Sequence, residues 1–188
     1  IINNQDNVAG ILLCNIFGVG NKEIGGWEEL ARQYDLPLII DTAAGFGSRY
    51  SDSERVGSRG DCEVFSLHAT KPFAVGEGGL GTSKNAELIK KLRQLQNFGF
   101  GENRLVASIG TNAKMQEINA AIGLRQLSGY ENRLDKRRGV LSLYKNQIPA
   151  EYKFQANDNL STVAFASIIA TSPSLAADVH QNLNKHGI

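Results

Sequence analysis

Two apolar runs held apart by a helical stretch constrain this chain more than anything else in it. AGILLCNIF (9–17) and LPLIIDTAA (36–44) are continuous rather than alternating, the mark of strands covered on both faces. Between them, NKEIGGWEELARQYD (21–35) repeats Ile24, Trp27, Leu30, Ala31 and Tyr34 at helical spacing. Strand, helix, strand with continuous apolar strands implies parallel pairing in an α/β layer whose helices cover the sheet. CEVFSL (62–67) reads as a third strand and GGLGTS (78–83) as a short fourth. KNAELIKKLRQLQNFG (84–99) follows as an amphipathic helix with Leu88, Ile89, Leu92 and Leu95 on one face, ending near Gly99.

Beyond residue 100 the pattern changes. NAKMQEINAAIGLRQL (112–127) is helical and rich in small residues, and SGYENRLDKRRGVLSLYKNQI (128–148) is a longer, more polar helix suited to bridging two domains. STVAFASIIA (161–170) is strand-like and SLAADVHQNLNKHG (174–187) helical. The expected division is a partial large domain over 1–130, a connecting helix over 131–148, and the start of a small α+β domain over 149–188. A chain that begins without Met and ends HGI directly after a helix reads as a piece of something longer.

Composition excludes several functions. A net charge of +1 gives no electrostatic footprint for nucleic acid or an anionic membrane surface. No apolar run approaches the length needed to span a bilayer, and the first ten residues lack the pattern of a signal peptide, so the cytoplasm is the expected compartment. Cys14 and Cys62 form no CxxC and read as buried reduced thiols, and with three histidines a metal centre has little support.

The chemistry gathers at one edge. Ligands of open α/β sheets collect beyond the carboxyl ends of the strands; there Asp41 ends one strand, Ser66 ends another, and Lys71 follows within SLHATKPFAVGEGGLG (66–81). Lys71 is either an exposed lysine in a turn or an amine placed to condense with a carbonyl ligand. Asp41, closing so apolar a run, must be hydrogen-bonded or paired. It caps the next turn or faces a protonated pyridine nitrogen, as in pyridoxal phosphate (PLP) enzymes. Ser66 is a strand-end hydroxyl bonded to backbone, or a phosphate ligand.

Taken together, FSLHATKPFAVGEGGLGTS resembles the active-site stretch of the DegT/DnrJ/EryC1/StrS family of PLP-dependent nucleotide-sugar aminotransferases. The upstream LPLIIDTAAGFGSRY is similar to the family's Asp-Ala-Ala stretch. Downstream, LRQLQNFGF and IGTNAKMQEINAAIGLRQL resemble its Asn-x-Gly and Gly-x-Asn-x-Arg/Lys-Met segments. The resemblance implies a fold-type-I large domain, mostly parallel sheet covered by helices, followed by the start of a smaller α+β domain. It makes Lys71 the Schiff-base lysine and acid/base, Asp41 the partner of the pyridine nitrogen, and Ser66 a phosphate ligand. Asn97 would reach the neighbouring subunit's phosphate in a homodimer. His68 would lie near cofactor or sugar, or be a satisfied strand-end histidine. Asn112 and Lys114 would lie near the site or the interface, or start a helix. The implied substrates are an amino-acid donor, glutamate in such families, and a nucleotide-linked keto-sugar. Lysine at 71, where the family's sugar dehydratases carry histidine, favours transamination. Ala44 stands where many members have Gln or His, and the family's phosphate-gripping Gly-Ser/Thr loop does not precede Asp41. Two alternatives stand beside this: a truncated non-catalytic paralogue with a binding or structural role, and another fold-type-I PLP enzyme such as a lyase or desulfurase.

Overall fold

The computed structural model describes residues 7–156 and 158–188, and its main sheet has four strands. β1 (Ile11–Cys14), α1 (Ile24–Gln33) and β2 (Leu38–Asp41) form the strand–helix–strand unit read from the sequence. β3 (Arg49–Ser51) and β4 (Glu54–Arg55) make a small antiparallel hairpin that the sequence reading did not include. β5 (Cys62–Ser66) and β6 (Gly79–Thr82) complete the sheet in the order β1-β2-β5-β6. β1, β2 and β5 are parallel; β6, joined to β5 by a loop rather than a crossover helix, returns antiparallel.

The second half is mostly helical. α2 (Ala86–Leu95) starts at Asn85, whose side chain accepts hydrogen bonds from the amides of Glu87 and Leu88. α3 (Glu117–Leu127) and α4 (Tyr130–Gln147) follow, then β7 (Lys153–Phe154), its partner β8 (Ile168–Ile169), and α5 (Pro173–Lys185). Among the described residues no helix is long and apolar enough to cross a membrane.

Strand register sorts the side chains onto two unlike faces. Ile11, Leu13, Leu38 and Ile40 point to one face, where Ile24 and Ala31 of α1 and Tyr50 of β3 bury them with Trp27 and Leu30 alongside. Each fully buried aliphatic chain there contributes about 1.5–3 kcal/mol relative to exposure. A second cluster joins Leu67, Phe73 and Val75 to Tyr130 and Leu134 of α4, with Phe46 against it. The Tyr130 hydroxyl donates to the Phe46 carbonyl at 2.6 Å.

The other face departs from expectation. Continuous apolar strands imply cover on both sides, yet Leu12 is 68% exposed and Ile39 44%. Cys14 is also exposed, because register places it beside Asp41 on this open face, while Cys62 is buried. Both thiols are free, and burial raises that of Cys62 above the ordinary cysteine value.

Two boundaries also move. The strand expected over 161–170 survives only as Ile168–Ile169. Upstream of it, Thr162 is drawn into the core: its amide donates to Ser48 Oγ at 3.0 Å and its hydroxyl to the Ala44 carbonyl at 2.7 Å. Val163 then takes a φ of 50°, which no strand accommodates. The helix expected from 112 begins at Glu117, so Asn112 and Lys114 lie in an extended approach rather than at a helix start.

Candidate active site

Asp41 is the last residue of β2, and register pairs it with Val64, so Asp41 and Ser66, two residues on, share the open face at its carboxyl edge. Asp41 Oδ1 accepts the Ala43 amide at 2.9 Å, the turn-capping role read from the sequence. That leaves its other oxygen free of partners among the described residues. The Ser66 oxygen accepts the His68 amide at 3.3 Å, and its proton has no acceptor among those residues. Both side chains are half-buried. The strand ends are also tied to each other: the Ser66 amide donates to the Ala43 carbonyl at 3.1 Å and the Thr42 amide to the Val64 carbonyl at 2.9 Å.

Lys71 lies on the 67–78 loop, which apolar anchors hold on either side of it. Leu67, Phe73 and Val75 are all buried, the Val75 amide donates to the Leu67 carbonyl, and the Lys71 amide closes a turn on the His68 carbonyl. Gly76 turns the loop with a φ of 96° in open space, so glycine serves its backbone conformation rather than its packing. The result is a lysine on a fixed backbone, half-buried, with no ion-pair partner among the described residues.

His68 is engaged more than a free ligand would be. Its Nδ1 meets Thr70 Oγ1 at 2.9 Å, and its Nε2 lies 3.4 Å from a Glu77 oxygen. It remains partly exposed beside Lys71.

Asn97 and Asn112, read from separate motifs, are brought together as an antiparallel bridge. Behind them Gly99 and Gly110 approach so closely that a Cβ on either would collide with the backbone opposite. Lys114 bonds to Asn112 Oδ1 and sits 4.1 Å above the ring of Phe98. Asp41, Ser66, His68 and Lys71 thus lie on the β2 and β5 ends and the loop that follows, while Asn97, Asn112 and Lys114 form a second group on the 97–114 segment.

Sequence reading missed a polar assembly on the other side of the sheet. Glu63, in the middle of β5, is fully buried. Its Oε1 accepts from Thr42 Oγ1 at 2.6 Å and from Tyr50 Oη at 2.9 Å, and its Oε2 from the Gly57 amide at 2.5 Å. Asn15 donates through Nδ2 to the same two hydroxyls, at 2.8 and 3.1 Å. Burial first, and then the Glu63 charge, raise the Tyr50 phenol above the ordinary tyrosine value. The signal was present: one charged residue inside the otherwise uncharged run CEVFS.

A model of the DegT/DnrJ/EryC1/StrS aminotransferase family matches residues 2–188. The chain belongs to that family. Among its relatives in the family, the Mycobacterium tuberculosis protein Rv3402c is 50% identical over 98% of this chain and 45% of its own length. The UDP-4-amino-4,6-dideoxy-N-acetyl-beta-L-altrosamine transaminase of Campylobacter jejuni is 31% identical over 87% of this chain and 42% of its own length. The chain therefore spans a little under half the length of these family members. A Bacillus cereus crystal structure, proposed to be a PLP-dependent aminotransferase, superposes over all of this chain and 52% of its own with a TM-score of 0.88 at 30% identity. DesI, solved with its TDP-sugar product, covers 93% of this chain and 46% of its own with a TM-score of 0.80 at 27% identity. These neighbours agree with the α/β architecture expected for the family.

Proposed function

We propose that this chain carries the lysine-bearing half of a PLP-dependent aminotransferase that moves an amino group from an amino acid, glutamate being the expected donor, to a nucleotide-linked keto-sugar. One observation carries the proposal. At the carboxyl edge of a single sheet face the chain presents a carboxylate with a spare oxygen, a hydroxyl with a spare proton and, on the adjoining anchored loop, an amine with no ion-pair partner. That donor set fits PLP, which offers a ring nitrogen to protonate, a phosphate to bind and an aldehyde to condense. When bound, PLP supplies an electron sink for the charge left at a substrate carbon that has lost its proton.

The chain's own residues do the rest. Asp41, held by the Ala43 amide, would accept the ring N–H through its free oxygen and keep that nitrogen protonated. Ser66 donates its hydroxyl to phosphate. Lys71 would hold the aldehyde and, once displaced by substrate, would be the group that takes the Cα proton and returns it one atom away. The His68–Glu77 pair lies on the same loop as Lys71. Lysine at 71, a primary amine able to condense with an aldehyde as a histidine ring cannot, supports transamination over dehydration.

Names of relatives support the substrate class: besides the Campylobacter enzyme, a dTDP-4-amino-4,6-dideoxy-D-glucose transaminase of Shigella dysenteriae is 37% identical over 64% of this chain. A homodimer, in which Asn97 would reach the neighbouring subunit's phosphate, belongs to the same proposal, with the cytoplasm as its expected compartment. Leu105, Val106 and Ile109, between Asn97 and Asn112, are 70%, 70% and 94% exposed, an apolar surface suited to a second subunit.

The test is a PLP titration of the purified chain followed by visible absorbance, with Lys71→Ala beside it. A coloured species that the variant cannot form is the expected result. A folded chain that stays colourless at saturating PLP overturns the proposal for this chain and favours a non-catalytic role.

A further inference from the structure

We propose that Glu63 is a positioning residue for Asp41, acting from the opposite face of the sheet through Thr42; this rests on the PLP-binding function proposed above. Thr42 directly follows Asp41, and its side chain points to the sealed face while that of Asp41 points to the open one. The Thr42 hydroxyl ends on Glu63. Glu63 therefore holds the residue next to Asp41 from behind.

The hydrogen bonds around Glu63 run in one direction only. Asn15 Nδ2 has two protons, and both go to hydroxyls: one to Thr42, one to Tyr50. Each hydroxyl, having accepted from Asn15, turns its own proton to Glu63 Oε1. The Gly57 amide fills Oε2, and the Asn21 amide fills Asn15 Oδ1 at 2.9 Å. Glu63 thus receives three donors and gives none, which only a carboxylate or another pure acceptor can do. Glutamine would aim an N–H either at the Gly57 amide or at two hydroxyls already committed to donating.

The assembly links all three parallel strands. Asn15 follows β1, Thr42 follows β2, and Glu63 belongs to β5; Tyr50 and Gly57 come from the hairpin region. On the open side, Asp41 is held by one amide and its own backbone. With Glu63 in place, the Thr42 rotamer is fixed and the β2 end that carries Asp41 cannot swing. Preorganised geometry of this kind is what a site needs from residues that never touch the ligand.

Three variants on the full chain test this: Glu63→Gln, Tyr50→Phe as a milder cut to the same network, and Asp41→Asn as the reference. The first readout needs no cofactor: amide hydrogen exchange of the peptide spanning 38–46. Exchange there should quicken roughly tenfold in Glu63→Gln, and less in Tyr50→Phe, ahead of any change in α5. The second readout is NMR of PLP labelled at its ring nitrogen. Glu63→Gln should move the nitrogen signal part of the way toward that of Asp41→Asn and weaken PLP binding roughly two- to tenfold. Unchanged exchange over 38–46 overturns the proposal. So does a nitrogen signal that stays at the wild-type position while thermal stability falls, because a purely structural residue would behave that way. If Glu63→Gln does not fold, Tyr50→Phe decides by the same two criteria. A wild-type chain that captures no PLP overturns the cofactor-binding proposal instead, and exchange alone then decides whether Glu63 clamps the Asp41 edge.

Discussion

The two faces of the one sheet treat polar side chains in opposite ways. On the sealed face, Asn15, Thr42, Tyr50 and Glu63 use up one another's donors and acceptors, and all four are buried. On the open face, Asp41 keeps an oxygen and Ser66 a proton among apolar neighbours that are themselves exposed, and Lys71 on the adjoining loop has no ion-pair partner among the described residues. A buried polar group that is fully satisfied stabilises the fold it sits in, whereas one with spare capacity at a sheet edge is available to a ligand. On the proposed function, the faces therefore divide the labour of folding and of chemistry within single strands, residue by residue.

That division can be broken at one pair of positions after another. The largest effect is expected at Lys71. Lys71→Ala should abolish coloured capture of PLP altogether while leaving the urea midpoint nearly unmoved, since an open-face side chain away from the core changes stability by about 0.5 kcal/mol or less. A large loss of stability would mean the loop depends on its lysine, and the separation of roles would be wrong there. Ile40 and Ile39 are the next contrast, adjacent in β2 and pointing apart, one fully buried and one not. Ile40→Ala should cost about 2–5 kcal/mol in urea unfolding, and Ile39→Ala about 1 kcal/mol or less. Equal losses would show that the open face is covered in solution. Ser66→Ala should then weaken PLP binding by roughly ten- to a hundredfold, the size of one lost hydrogen bond to a charged group, without altering the fold.

The smallest effect separates the faces by pH. Tyr50 and Tyr130 are both raised above the ordinary tyrosine value, each mainly by burial. A raised native value means that the neutral phenol is favoured in the folded state. Its contribution to stability is whole below the unfolded value of about 10 and is lost as pH climbs from there toward the native value. Alkaline titration should therefore bring a late rise in tyrosinate absorbance that coincides with loss of helical circular dichroism. Tyr50→Phe removes one of those phenols, so the late amplitude should shrink. A late rise well before unfolding would mean that water reaches these hydroxyls in the native state.

The sequence carried the open face better than the sealed one. Asp41, Ser66 and Lys71 were legible because reactive residue types stood at strand ends and before a glycine-rich loop. The parallel core was legible because ILLC and LII are too apolar to be anything else. What could not be read was which side of those strands is covered, since a run apolar at every position hides the alternation that register imposes. Glu63 was passed over because its partners lie at 15, 42, 50 and 57, and no local pattern links them. The strand expected over 161–170 failed for the same reason: Thr162 answers to Ala44 and Ser48, not to its neighbours in sequence. The meeting of Asn97 with Asn112 also depends on a fold, here two glycine backbones pressed together.

The bond from Thr162 to Ala44 joins residues 118 positions apart. It bears on the order in which the protein is made. Chains emerge from the ribosome amino end first, and contacts of high sequence separation form only after the intervening loop has been closed against its entropy. The parallel strands and α1 can assemble once residue 66 has emerged. The turn that follows Asp41 gains its last partners only when Thr162 arrives to fill the Ser48 hydroxyl and the Ala44 carbonyl. A nascent chain stalled after β6 but before Thr162 would hold a finished sheet and an unfinished edge, so the part of the molecule proposed to meet ligand is among the last to set.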